Sequence, residues 1–348
     1  MDLATLWFVA IAVLWTGYFF LEGFDFGVGM LLPVLGRTDA ERGALIETIG
    51  GLWDGNEVWL IVAAGATFAA FPLWYATLFS SLYLPFLVIL VALILRGVAI
   101  EFRGKGETRR WHATWERLLV VGSLVPALLW GIVFGNVARG LPLDAAHVLR
   151  GGPADLINGP ALVGALVAVT LFLLHGALFL RLRTTGALHA RARRVAAWIA
   201  PLTLLTVAGY LVWAHGHRGS AVTTALGALA GAALIGAWAL NRTRRAGAAF
   251  ALTGTAIVAA TVVLFAGLYP AVLPSTIDPS HDLTVHNASS THYTLVIMTW
   301  AAGLFLPVVL AYQAWTYWVF VHRIGAVRTP PETGPDGETS RKAADAAR

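Results

Sequence analysis

The chain has 348 residues, of which 58% are hydrophobic and 12% charged, and its mean hydropathy is +0.72. So little charge cannot cover a soluble surface of this size, which excludes a soluble globular domain and leaves an integral membrane protein. The net charge of +5 then reports basic loops rather than a nucleic-acid partner, and the absence of cysteine excludes disulfides, iron–sulfur clusters and Cys-ligated haem or zinc.

The chain opens "MDLATLWFVAIAVLW", with an acid where a secretory signal carries a basic residue, and no small-residue cleavage site follows. It is predicted as a retained first span. Nine stretches reach the roughly 20 apolar residues that a spanning helix needs. They are 5–35, 51–71, 73–101, 116–138, 158–180, 194–214, 221–240, 247–272 and 291–321. The second and third are separated only by Phe71-Pro72, which predicts a tight antiparallel hairpin. The nine spans make residues 1–324 one all-α transmembrane domain. Residues 325–348, with the Pro/Gly-rich run "RTPPETGPDGETSRKAADAAR", are expected to form a disordered tail.

Of the 24 Lys and Arg, 20 fall in one set of alternate connections plus the tail, three in the other set, and Arg96 within the third span. Basic loops stay in the cytoplasm, so the N-terminus is expected outside and the C-terminus inside.

Most acids lie in the connections or the tail. Glu22 and Asp25 in "LEGFDFGVGML" and Asp54 and Glu57 in "WDGNEVWL" do not. Each pair is spaced i, i+3, on one helix face. With a rise of 1.5 Å per residue, Asp25 sits about 7 Å, Asp54 about 10 Å and Glu57 about 6 Å to the cytoplasmic side of the midplane. Arg96 falls near this layer, and Glu101 lies closer to the surface. An isolated charge at mid-membrane costs roughly 2.5–3.5 kcal/mol, so these acids are expected to face other helices or water. Crowded carboxylates with one basic neighbour cannot all stay ionised. Two readings follow: a proton relay, or a static network in which Asp54 accepts from Asn56 or a Trp N–H with Arg96 as counter-ion. Gly23 and Gly27 form a GxxxG that suits close helix packing.

His175 is the histidine well inside a span. Met30 and Met298 do not pair with it in depth, so it is expected to bond a backbone carbonyl rather than haem iron. His281, His286 and His292 with Asp278 and Asp282 are too loosely spaced to argue for a metal. Trp53, Trp111, Trp115, Trp315 and Trp318 read as interfacial belts, whereas Trp59 lies two turns inside. No P-loop, GxSxG, HExxH or dinucleotide fingerprint occurs.

Six motifs occur in order: "GFDFGVGML" at 23–31, "WDGNEVWLIVAAGATFAAFP" at 53–72, "RGVAIEFR" at 96–103, "GSLVPALLWGIVFGNVARGLP" at 122–142, "YPAVLPST" at 269–276 and "MTWAAGLFLPVVLAYQAWTYW" at 298–318. Together the chain resembles subunit II of the cytochrome bd quinol oxidases. The resemblance implies nine transmembrane helices, as two four-helix bundles plus one peripheral helix. It implies a heterodimer whose subunit I carries the b and d haems and the quinol site, while this chain binds no haem or metal. The complex would oxidise quinol and reduce dioxygen to water with protons drawn from the cytoplasm, in a prokaryotic cell membrane. Small accessory membrane subunits and a lipid or quinone are compatible partners. By the same resemblance Asp54 stands at the proton entry with Asp25 nearby, and Trp59 borders a dioxygen route. Glu57 departs from the glutamine frequent in relatives; the proton path is expected to comprise Asp54, Asp25, Glu57 and Glu22, with Arg96, Glu101 and Asn56 as its counter-ion and network. The alternative is a stand-alone proton-coupled secondary transporter using the same acids. That class shows internal repeats and helices interrupted at the midplane, neither of which is evident here. A purely structural subunit is a third option.

Overall fold

The computed structural model describes residues 2–319 together with 323 and 324. The expected tail at 325–348 and the last two residues of the ninth predicted span lie outside the described residues. Among the described residues the fold is helical apart from a small hairpin, and eight helices are long and apolar enough to cross a membrane.

Helix α1 (Leu3–Leu35) is capped by Asp2, whose carboxylate accepts from the Thr5 amide at 2.7 Å. It is followed by α2 (Asp39–Gly50), a helix that hydropathy did not predict because it does not span. A capping box starts α2, with Thr38 and Glu41 each accepting from the other's backbone N–H. Helix α3 (Trp53–Ala70) stops at Phe71, since Pro72 disfavours helical geometry in the residue before it. Pro72 then opens α4 (Pro72–Ser81) at its first position, where a missing N–H costs nothing.

Residues 73–101, expected as one span, are instead two helices, α4 and α5 (Tyr83–Phe102), divided at Leu82. Pro85 explains the break: it cannot donate to the Ser81 carbonyl, and its ring crowds that group. Helix α3 is not among those eight, and Asp54, Asn56 and Glu57 occupy its first two turns.

Helices α6 (Arg109–Arg139), α7 (Gly159–Arg183), α8 (Gly186–Arg218), α9 (Ala221–Leu240), α10 (Ala246–Leu268) and α11 (His292–Val319) complete the set. Gly140 ends α6 with φ +99°, a conformation that glycine adopts without strain. The core is organised around α1, which packs on α3, α6, α7 and α10. Helices α7, α8, α9 and α10 pack successively on one another, and α7 also meets α6. Gly27 of α1 and Gly176 of α7 bring those two backbones together: a Cβ on Gly27 would lie 2.8 Å from the Gly176 Cα. Gly23, one turn earlier, seats the Phe172 ring, so this GxxxG serves close packing. Helix α11 lies against α1 and α3 and leaves most of its surface exposed.

At one end the connections 140–158 and 269–291 form a cap. Strand β1 (Ala271–Leu273) pairs antiparallel with β2 (Leu283–Thr284). Leu141 exchanges backbone hydrogen bonds with Pro274 and Thr276, both at 2.9 Å. His281 braces the cap by donating from Nδ1 to the Leu143 carbonyl at 3.1 Å.

Candidate functional site

The intramembrane polar residues separate into three groups. The first is the pair of Glu22 on α1 and Arg96 on α5, in direct contact with each other and with no solvent exposure at all. The Arg96 guanidinium also lies 4.9 Å above the Phe26 ring, a favourable placement for a cation on an aromatic face. One turn before Glu22, Tyr18 is buried and accepts from Trp130 Nε1 at 3.1 Å.

Asp25 anchors the second group. Asn56 of α3 donates from Nδ2 to Asp25 Oδ2 at 2.7 Å, and both side chains are buried. The Asn56 carbonyl oxygen in turn accepts from the Tyr317 hydroxyl at 2.7 Å and, at 3.5 Å, from Gln313 Nε2. Helix α11 therefore closes on α3 and, through the Asn56 side-chain amide, is linked to α1. The static network expected from sequence had Asp54 accepting from Asn56 or a Trp N–H, with Arg96 as counter-ion; in the structure Asn56 donates to Asp25 instead and Arg96 pairs with Glu22. Residues two apart on a helix point about 200° apart, so Asn56 faces α1 while Asp54 faces away.

Asp54, Glu57 and Glu101 form the third group. They line a groove of about 420 Å³ between α3 and α5, walled by Trp53, Leu93 and Gly97 among others. Asp54 and Glu101 are exposed, and Glu57 is half-buried. The four acids read as one layer thus divide between a closed ion pair, a closed hydrogen-bond network and an open groove. Arg96 belongs with Glu22 alone.

Trp59 covers Gly17 of α1, where a Cβ would collide with its indole ring. Trp15, Leu60, Ala64, Phe79, Phe86 and Trp130 line an apolar cavity of about 350 Å³, of which Trp59 itself is not a wall. His175 is buried between helices. Its Nε2 donates to the Phe20 carbonyl at 3.1 Å, its Nδ1 is 2.7 Å from the Thr253 hydroxyl, and its ring stacks on Phe250 at 4.4 Å. A carbonyl only accepts, so Nε2 carries the proton, while Nδ1 faces the Thr253 hydroxyl, which itself donates to the Phe250 carbonyl at 2.8 Å. The carbonyl bond expected of His175 is present, and the residue does not fit as an axial haem ligand in this conformation. Among the described residues no group of three or more His, Asp or Glu is arranged to hold a metal ion.

At the end where α1 gives way to α2, a charged cluster ties the connections together. Asp39 accepts from Arg103 Nη2 at 2.8 Å and from His112 Nδ1 at 2.9 Å. Glu116 meets Arg103 and Arg42 at 2.8 and 2.9 Å, and Glu41 meets Arg191 at 2.6 Å. Partial burial tends to raise the Asp39 carboxyl, but the His112 hydrogen bond and the Arg103 charge outweigh it and hold it below the ordinary 3.8. The bond and charge from Arg191 likewise hold Glu41 below 4.5.

Sequence reasoning missed Tyr18, Gln313 and Tyr317. Tyr18, Glu22 and Asp25 repeat at i, i+4, i+7, which is a readable helical stripe. Gln313 and Tyr317 are also one turn apart, but nothing local indicates a partner more than 250 residues earlier.

Comparison with known proteins matches residues 3–320 to the family model described as "Cytochrome bd terminal oxidase subunit II". The chain is 41% identical over 329 residues to the cytochrome bd ubiquinol oxidase subunit 2 of Bacillus subtilis (strain 168), covering 93% of this chain and 97% of that protein. It is 35% identical over 357 residues to the cytochrome bd-I ubiquinol oxidase subunit 2 of Escherichia coli (strain K12), covering 92% and 94%. Its fold is similar to a chain in the structure of the bd oxidase from Geobacillus thermodenitrificans, with a TM-score of 0.75, 20% identity, and coverage of 92% of this chain and 99% of that one. The chain belongs to the cytochrome bd terminal oxidase subunit II family and is a multi-pass protein of the prokaryotic plasma membrane.

Proposed function

We propose that this chain is the haem-free subunit of a quinol-oxidising, dioxygen-reducing complex, that it supports a haem-bearing subunit I, and that it supplies part of the cytoplasmic proton path. The observation that carries the reading is the groove lined by Asp54, Glu57 and Glu101, which lies beside the buried Asn56–Asp25 pair. The haems and the quinol site belong to the partner, and when bound they supply electron transfer from quinol to dioxygen.

In this chain, exposed Asp54 takes a proton from cytoplasmic water, and Glu57, one helical turn further in, receives it. Asn56 cannot titrate. Its amide orients Asp25 while its oxygen is held by Tyr317, fixing the buried carboxylate relative to α3. Glu22 and Arg96 compensate each other and act as a fixed pair rather than as carriers. Trp59 and the neighbouring apolar cavity suit an uncharged gas, which supports a dioxygen route on that side of α1.

The topology that fits these roles has nine spans with α3 as the second, two four-helix bundles joined across α1, α6 and α7, and α11 at the periphery. The N-terminus is outside and the tail in the cytoplasm, where accessory subunits or lipid could join. Membership of the family disfavours the transporter reading.

Asp54→Asn in the assembled complex tests the proton role. Quinol-driven oxygen consumption should fall by roughly tenfold or more with haem content unchanged, as for loss of a positioned proton-transfer group. Parental turnover in that variant refutes the path through Asp54.

A further inference from the structure

At the end of the molecule that carries the β hairpin, α6, α8, α9 and α10 leave a groove of about 430 Å³ between them. That volume lies within the roughly 300–1,000 Å³ usual for small-molecule sites. Most of its length is apolar, walled by Leu204, Val207 and Leu211 of α8, Gly227 and Gly231 of α9, and Leu264 of α10. The basic side chains enter at one end, where His215, His217 and Arg218 finish α8 and Thr223 and Thr224 begin α9; Tyr210 and Trp213 also line the α8 wall. Among the described residues no Asp or Glu lines the groove. Arg139 stands at the same end, its carbonyl oxygen accepting from His217 Nε2 at 3.3 Å.

Helix α9 serves as a depth gauge. Its 20 residues span about 30 Å at 1.5 Å per residue, the thickness of the hydrocarbon layer. Thr223 and Thr224 then lie about 3–5 Å inside the edge of that layer, and Gly227 and Gly231 about 9–15 Å inside it. His215 to Arg218 precede the helix and lie at the level of the lipid headgroups. The two glycines keep the wall open: a Cβ on Gly231 would meet nothing within 4 Å, and one on Gly227 only Leu211 at 3.4 Å.

We infer that this groove is a binding site for one anionic phospholipid, with an acyl chain along Gly227 and Gly231 and the phosphate at Arg218. A soluble anion would have no use for the apolar walls, and a plain hydrocarbon none for the cationic end. A zwitterionic headgroup would bring an ammonium to a rim that offers cations and no carboxylate. The assignment uses depth and charge alone, so it stands apart from the proton path and from which side faces outward.

The test is performed on the full complex, delipidated in detergent and then titrated with dioleoyl phosphatidylglycerol or dioleoyl phosphatidylcholine, with retained lipid counted by native mass spectrometry. The parent should retain one phosphatidylglycerol per complex at this site, in roughly fivefold preference to phosphatidylcholine, as expected for one arginine, Arg218, near the headgroup. Gly231→Leu fills the groove into open space and should abolish that bound copy. Arg218→Gln, on a half-exposed side chain, should leave the fold intact and bring the preference, roughly fivefold in the parent, close to one. Equal retention of the two lipids, a quinone held in place of phospholipid, or full retention in both variants overturns the inference.

Discussion

Replacing Arg96 by methionine leaves Glu22 without its counter-ion in a place where neither side chain touches solvent. Breaking a buried pair from one side costs about 3–5 kcal/mol. An unpaired charge near mid-membrane costs roughly 2.5–3.5 kcal/mol on insertion scales. Glu22 has one escape, which is to take a proton. From an ordinary glutamate pKa near 4.3, that costs about 3.7 kcal/mol at pH 7 and about 1 kcal/mol at pH 5. The three figures converge on a loss of about 3 kcal/mol at pH 7, more than a hundredfold in the folding equilibrium, shrinking as the pH falls toward 5. The double variant Glu22→Leu/Arg96→Met removes both charges and should recover to within about 1 kcal/mol of the parent. Reversible unfolding in mixed detergent micelles, run as a double-mutant cycle at pH 7 and pH 5, measures these differences. A single variant as stable as the parent, or a double variant no better than the single, refutes the argument that the pair is closed and mutually compensating.

Two further outcomes follow from the packing and from the charged cluster. Gly27→Ala forces a Cβ against the Gly176 backbone, which no rotamer change relieves, and overpacking of this kind costs about 1–3 kcal/mol or more. Folded yield by size-exclusion chromatography should drop severalfold, whereas Gly65→Ala, with nothing within 4 Å of its added Cβ, should match the parent. For Asp39 and Glu41 the folded pKa values lie below the ordinary 3.8 and 4.5. Their contribution to holding α2 is therefore complete above those values and is lost as the pH falls through the depressed folded ones. Hydrogen exchange of α2 amides, corrected for the intrinsic pH dependence, should show protection down to about pH 4.5 and opening below it, with Asp39→Asn already partly open at pH 7.

Hydropathy reveals the long helices because lipid demands runs of apolar residues, and Gly23 and Gly27 mark a close approach because only glycine permits one. Local chemistry also contained more than hydropathy uses. Thr38 and Glu41 spell a capping box ahead of α2, and Pro85 announces the break at Leu82. The acids were recognisable as misplaced in lipid, yet their partners were not, since spacing tells which residues share a face and not which helix that face meets. Glu22 and Asp25 share a face and still end on different helices, one on Arg96 of α5 and the other on Asn56 of α3. Asn56 itself receives Tyr317 from the far end of the chain, a contact that no local pattern encodes. The family motifs carried the functional reading further than the physics of spacing could, because they attach roles to residues whose neighbours are invisible in one sequence.

The Glu22–Arg96 pair also sets an order on biosynthesis. At ribosomal rates of about 5–20 residues per second, Arg96 is made roughly 4–15 seconds after Glu22. During that interval the first span must enter the bilayer with its carboxyl either protonated or waiting in water at the translocon. Once α5 arrives, the acid has a permanent counter-charge and α1 is held to it. A nascent chain interrupted before α5 keeps an uncompensated carboxyl in its first span, so the ion pair also separates completed subunits from fragments that membrane quality control can remove.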